Sequence, residues 1–347
     1  MNTYANAPPF ALPAHNIEAV LAAGGMNGFR HCGVLDELDA QKIPIGIVTG
    51  VSVGAIVAAF YTNRFSGSQI TEIFLEALKN PKDPISIILS GWRELSRDMV
   101  KIMVEDVLSQ DPFSYMMGGW MTAVGKTSEA FARYLQKSTS LSGVMDCLTV
   151  PDPISGSIGG CIDLIGPMRK MVKRFDLKPN WRLRILGADL FTQTFVVLEG
   201  PDIDLAHALT LACSLPKVFR PQWDKFEGGM RLLGDGATIH YSPADFCKDP
   251  AIFSTFRPCT EVPPDIDNWL YRFFTECEIH CPLAGNHRFV DSARHLVIET
   301  GDPDVSGLNF GLSADRCLKM HADARLVTRA ALDRARQEGR LVNLPVV

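Results

Sequence analysis

At 347 residues the chain has room for one large α/β domain or two medium ones, and either would enclose a sizeable core. Hydrophobic residues at 46% and charged residues at 21% fit a packed soluble protein and show no bias toward disorder or repeats. A formal net charge of −5 offers no basic surface for a phosphate backbone, so no nucleic acid partner is expected. Nine cysteines, an odd number without a CxxC pair, read as reduced thiols used as small buried hydrophobes. Cys277 and Cys281 bracket Glu278, Ile279 and His280, but no second ligand cluster follows, so neither a metal nor another cofactor is expected.

Residues 1–15 include Pro8, Pro9 and Pro13 but no basic segment followed by an apolar run. They read as an N-terminal extension rather than a secretory signal, and a cytoplasmic location is expected. No uninterrupted apolar run reaches about 18 residues, so any membrane contact is expected to be peripheral. Ile17 to Ala22 is short, apolar and followed by Ala23-Gly24-Gly25-Met26-Asn27-Gly28, which reads as a buried parallel strand running into a glycine turn. From Phe29 to Leu38, the residues Cys32, Val34, Leu35 and Leu38 recur at helical spacing. The arrangement repeats with Ile43 to Val48 as strand, Thr49-Gly50-Val51-Ser52-Val53-Gly54 as turn and Ala55 to Tyr61 as helix. Two βα units this close imply a parallel sheet.

Residues 66–180 read as an insertion or cap, with helical patterns at Ile70 to Leu78 and Arg93 to Leu108. Within it Met168, Met171, Val172 and Phe175 share one helical face and Arg169, Lys170, Lys173 and Arg174 lie elsewhere. Such a helix either rests on anionic lipid or packs its apolar face on the core, and the second reading carries more weight. Leu183 to Ala188 and Thr194 to Leu198 are an expected adjacent strand pair. Leu205 to Ser214 is a helix, Leu232-Leu233 leads into Gly234-Asp235-Gly236, His295 to Glu299 is a late strand, and Ala314 to Glu338 is an amphipathic C-terminal helix. Residues 16–347 are thus expected to form a single domain.

Gly50-Val51-Ser52-Val53-Gly54 fits G-x-S-x-G, in which small neighbours let a sharp strand-to-helix turn hold a serine hydroxyl at the sheet edge. A nucleophilic serine also needs donors where an oxyanion forms, and the turn at Gly24 and Gly25 offers backbone N–H groups without obstructing side chains. A phosphate-cradling role fits that turn less well, because it is not G-x-G-x-x-G and residues 44–47, Pro-Ile-Gly-Ile, lack the ribose-binding acid. The base is open on pattern alone. Asp235 lies between glycines after an apolar strand, His240 is a rival close by, His31 reads as structural, and His287 and His295 sit near late strands.

Glycine turn, serine elbow and Asp-Gly, in that order, resemble the patatin-like phospholipase family. Gly33-Val34-Leu35 is similar to its G-V-L, the segment Ala212 to Pro221 to its A-S-x-x-x-P-x-x-F-x-P, and Asp235-Gly236-Ala237 to its D-G-G/A, with Pro243 following as in many members. The resemblance spans 17–65 and 183–243. It implies a three-layer α/β/α fold with a mostly parallel central sheet, a Ser52-Asp235 catalytic dyad without histidine, an oxyanion hole from Gly24, Gly25 and Met26, and Gly50 and Gly54 as the structural elbow. The chain departs from the family turn in carrying Ala23 for its first glycine and Asn27 for its basic residue, with Arg30 as the candidate substitute. The function implied is phospholipase A-type hydrolysis of a lipid acyl ester. The alternatives are an acyltransferase using the same acyl-serine and a catalytically silent lipid-binding module.

Overall fold

The computed structural model describes residues 16–90, 163–192, 194–215, 219–226, 229–239, 250–256, 294–301 and 311–341, with a few isolated positions besides. Among them eight strands form one sheet: β1 (Ile17–Leu21), β2 (Ile45–Val51), β3 (Leu183–Asp189), β4 (Thr194–Glu199), β5 (Gln222–Phe226), β6 (Gly229–Asp235), β7 (Ile252–Phe256) and β8 (Leu296–Thr300). The order is β5-β6-β3-β2-β1-β7-β8, with β4 paired to β3 as well. The run β3-β2-β1-β7-β8 is parallel throughout, while β4 and β6 lie antiparallel to β3. This mixed, mostly parallel sheet flanked by helices is the architecture that the family resemblance implies, and its parallel run is the part expected from the two βα units.

Helix α1 (Gly28–Ala40) follows β1 after the glycine turn, and α2 (Val53–Thr62) follows β2 with only Ser52 between them. Behind them come α3 (Gly67–Leu78), α4 (Pro84–Ser90), α5 (Ile165–Arg174), α6 (Leu205–Cys213) and α7 (Ala314–Gln337). All seven contribute to one apolar core with Ile17, Ala19 and Leu21, the alternate residues of β1 that face one way. Helix α3 starts at a capping box, Ser66 Oγ accepting from Gln69 N and Gln69 Oε1 accepting from Ser66 N. Of the segment expected as an insertion or cap, 66–90 and 163–180 carry core helices; 91–162, including the helical pattern at Arg93 to Leu108, lies outside the described residues.

The amphipathic stretch is α5. Its Met168 and Met171 are fully buried, and Val172 and Phe175 pack against the core beside Phe60 and Phe65. Its apolar face is therefore occupied by protein, the second of the two readings. The long helix α7 lies across α1, where Gly33 lets the backbones close in: a Cβ there would stand 2.1 Å from the His321 carbonyl oxygen. Buried Glu37 of α1 accepts from Arg329 Nε at 2.8 Å, and Asp36 meets His321 Nε2 at 2.9 Å.

Candidate active site

The site arises from two strands that meet head-on. On β3, Leu186 pairs with Val51 of β2 and Gly187 pairs with Asp235 of β6. Both also pair with β4, through Val197 and Val196, so β2 and β6 share the other edge of β3 and approach along it from opposite ends. Ser52, the first residue beyond β2, consequently falls against Asp235, the last residue of β6. Ser52 Oγ donates to Asp235 Oδ2 at 2.8 Å across 183 positions of sequence.

Ser52 has φ 54° and ψ −125°, a conformation that L side chains rarely adopt and that costs on the order of 1–3 kcal/mol. The elbow is held by close packing: a Cβ on Gly50 would stand 2.4 Å from the backbone of Ala55, and one on Gly54 would stand 2.3 Å from the Leu21 carbonyl oxygen. Only glycine fits at either position. Ser52 occupies the N-cap position of α2 without a side-chain capping bond, and the positive end of that helix favours negative charge at the hydroxyl.

Asp235 is held from three sides. Its backbone N–H donates to the Ser214 carbonyl at 3.0 Å, its carbonyl accepts from Thr238 Oγ1 at 2.8 Å, and its Oδ1 accepts from Ala237 N at 2.8 Å. Oδ2 is thereby turned to the serine. Ser214 ends α6 and donates its own hydroxyl to the Thr210 carbonyl at 2.6 Å, which gives the Ala212-Cys213-Ser214 segment a physical role: it anchors the strand that carries the acid. The carboxyl is buried, and burial pushes its pKa up to about 7, against the smaller opposing effect of its bonds from Ala237 and Ser52.

The glycine turn lies alongside. Gly25 has φ 52° and opens a 3-10 turn, Gly25–Asn27, whose leading N–H groups have no partner within the turn. A Cβ on Gly28 would meet Val53 at 2.7 Å, so the turn packs on the residue after the serine. Ala23 is not among the residues of positive φ; its side chain is buried with Val51, Leu186 and Ala237, directly beside the elbow. Alanine therefore fits where the family has glycine. Arg30 is buried and its Nε donates to Asn27 Oδ1 at 3.2 Å, so its guanidinium is not presented as an exposed anion contact.

Two of the histidines weighed as bases bond elsewhere. His31 meets Ala22 O and Ser254 Oγ, and His295 Nδ1 accepts from Ala251 N at 3.2 Å. His240, His287, Cys277 and Cys281 lie outside the described residues, as do Pro216 and Pro243. Sequence reading missed β7, which supplies Ser254 and Phe256 behind the glycine turn; its run Ile-Phe-Ser-Thr-Phe, rich in β-branched and aromatic residues, carried the signal.

A serine at a strained strand-to-helix elbow, bonded to a buried carboxylate on a mostly parallel sheet, is an arrangement suited to an α/β serine hydrolase. Residues 19–247 match the family model described as patatin-like phospholipase, so the chain belongs to that family, which supports lipid acyl hydrolysis in general. The neuropathy target esterase sws of Drosophila melanogaster is 29% identical over 156 residues, and that of Drosophila willistoni 30% identical over 156. The matches take in 40% of this chain and only 11% and 10% of those proteins, so the chain spans about a tenth of the length of the curated relatives it matches. Among solved structures, VipD from Legionella pneumophila superposes with a TM-score of 0.42 at 12% identity, covering 96% of this chain and 72% of that one. The ExoU-SpcU complex of Pseudomonas aeruginosa gives 0.40 at 12%, covering 94% and 53%.

Proposed function

We propose that the protein is a lipid acyl hydrolase of the phospholipase A type, with Ser52 as nucleophile and Asp235 as its base. The observation that carries the reading is the 2.8 Å bond from Ser52 Oγ to a carboxylate oxygen whose partner oxygen is already held. As Oγ attacks the acyl carbonyl carbon, its proton passes to Oδ2. The N–H groups of Gly24, Gly25 and Met26 stabilise the oxyanion of the tetrahedral intermediate. Asp235, now protonated, returns the proton to the departing alcohol of the lipid, leaving an acyl ester on Ser52. Water then repeats the sequence: Asp235 takes its proton, the free fatty acid leaves, and the hydroxyl of Ser52 is restored.

Burial of Asp235 supports this role, because a carboxylate of ordinary acidity is a poor base for a hydroxyl and one titrating near neutrality is a better match. Contact with the lipid surface is peripheral in this reading, and among the described residues no helix is long and apolar enough to cross a membrane. The test is mass-spectrometric profiling of a total lipid extract incubated with the protein. Wild type is expected to release free fatty acid and Ser52→Ala none; equal release by both would refute the proposal. Added glycerol separates the acyltransferase alternative, which would form new acyl glycerol at the expense of fatty acid.

A further inference from the structure

A buried histidine sits behind the glycine turn and takes no part in the proton transfers above. His31, in the first turns of α1, is fully enclosed. Its Nε2 lies 2.8 Å from the Ala22 carbonyl oxygen and its Nδ1 2.8 Å from Ser254 Oγ. A carbonyl only accepts, so Nε2 carries the ring proton and donates, and Nδ1 accepts from the Ser254 hydroxyl. Burial lowers the pKa of the ring to about 4, the carbonyl of Ala22 opposing the effect, so the ring is neutral across the range in which Asp235 titrates.

Ala22 is the residue at which β1 gives way to the turn. Its N–H donates to the Ser254 carbonyl at 3.1 Å, so both of its backbone groups are tied, one to β7 and one to His31. The His31 ring also lies against Phe256, with centroids 4.5 Å apart, and that phenyl ring fills the space beside Gly24: a Cβ there would stand 2.6 Å from it. One imidazole thus braces the chain two residues before Gly24 and also the aromatic wall that Gly24 packs on. Gly24 and Gly25 have few contacts of their own making, since they lack side chains, so the aim of their N–H groups depends on what holds the flanking chain.

We infer that His31 is a positioning residue for the oxyanion-binding turn, acting through the carbonyl of Ala22 and resting on the hydrolase reading above. Its bond makes no contact with the reacting atoms. What it fixes is the direction of the Gly24, Gly25 and Met26 N–H groups, whose contribution is made in the transition state rather than in substrate binding. Misplacement of such groups by about 1 Å is enough to lose on the order of 100-fold in rate.

The two side-chain amides separate this role from simple core packing. In His31→Gln the amide reaches the position of Nε2 and can still donate to Ala22; in His31→Asn it reaches only the position of Nδ1, toward Ser254. With p-nitrophenyl butyrate as substrate, His31→Asn is expected to lose about 10- to 100-fold in kcat with KM within about two-fold of wild type. His31→Gln is expected to recover most of that loss. The inference is overturned if folded His31→Asn keeps kcat within about two-fold of wild type, or if the two amides lose equally. Should His31→Asn fail to fold, Ser254→Ala carries the test, since it removes the hydroxyl that donates to Nδ1 and holds the ring in line with the Ala22 carbonyl; a several-fold fall in kcat at constant KM is expected, and an unchanged kcat overturns the inference. Wild-type turnover that survives Ser52→Ala would instead overturn the hydrolase reading itself.

Discussion

Asp235→Asn is expected to stabilise the protein while removing its activity, and the gain is expected to depend on pH. The substitution keeps the shape of the side chain and an oxygen to accept from Ala237 N, but takes away the charge. In the folded state the carboxyl titrates near 7 because it is buried; its ordinary value is 3.8. Below about pH 4 the side chain is protonated in both folded and unfolded chains, and the two proteins are expected to differ little. Between about pH 4 and 7 the unfolded chain loses the proton while the folded one holds it, so wild-type stability falls as pH rises. At about 1.4 kcal/mol per pH unit, the displacement from 3.8 to about 7 amounts to about 4 kcal/mol, reached above pH 7. Urea unfolding of both proteins at several pH values from 4.5 to 8.5 gives the difference directly, because groups common to the two cancel. Asparagine is expected to be more stable at pH 8 by a few kcal/mol, with the gap closing toward pH 4.5. A gap that stays constant with pH, or a less stable asparagine variant at pH 8, would refute the claim that the base is held at a cost to folding.

As the proposed base, the same carboxyl is expected to set the acid side of the pH–rate profile: kcat/KM should rise about tenfold per pH unit up to an apparent pKa of about 7 and then level off, whereas a midpoint near 4 would remove burial as the means of tuning the base. At the α1–α7 crossing, Gly33→Ala would force a methyl to within 2.1 Å of a backbone oxygen that cannot rotate away. A loss of at least about 2 kcal/mol in urea unfolding is expected, and a neutral outcome would contradict the docking of α7 described above.

Local chemistry makes the βα units and the elbow legible in the amino-acid sequence. Apolar runs ending in glycine give strands and turns, and Gly50 and Gly54 announce a backbone too crowded for other residues. What stays hidden is non-local. Nothing near Asp235 in sequence says that β6 shares an edge of β3 with β2, so its pairing with Ser52 is signalled by the family motif and not by periodicity. Strand β7 is buried along its whole length and so shows no alternation of apolar and polar residues, and its parallel partner β1 lies more than 230 positions earlier. The amphipathic face of α5 is visible in Met168, Met171, Val172 and Phe175, but which surface it meets is decided by Phe60 and Phe65, from a different part of the chain. Likewise 66–90 lacks the glycine-punctuated pattern of the first two units, and its membership of the core rests on Ile70, Phe74 and Ile88 facing α1 and its neighbours.

Whether Ser52 is a nucleophile activated by Asp235 is decided by reaction with a fluorophosphonate, followed by intact-mass measurement and peptide mapping. One adduct is expected, on Ser52, absent from Ser52→Ala and formed at least about 100-fold more slowly in Asp235→Asn. An adduct on another residue, or labelling of Asp235→Asn at the wild-type rate, would contradict it.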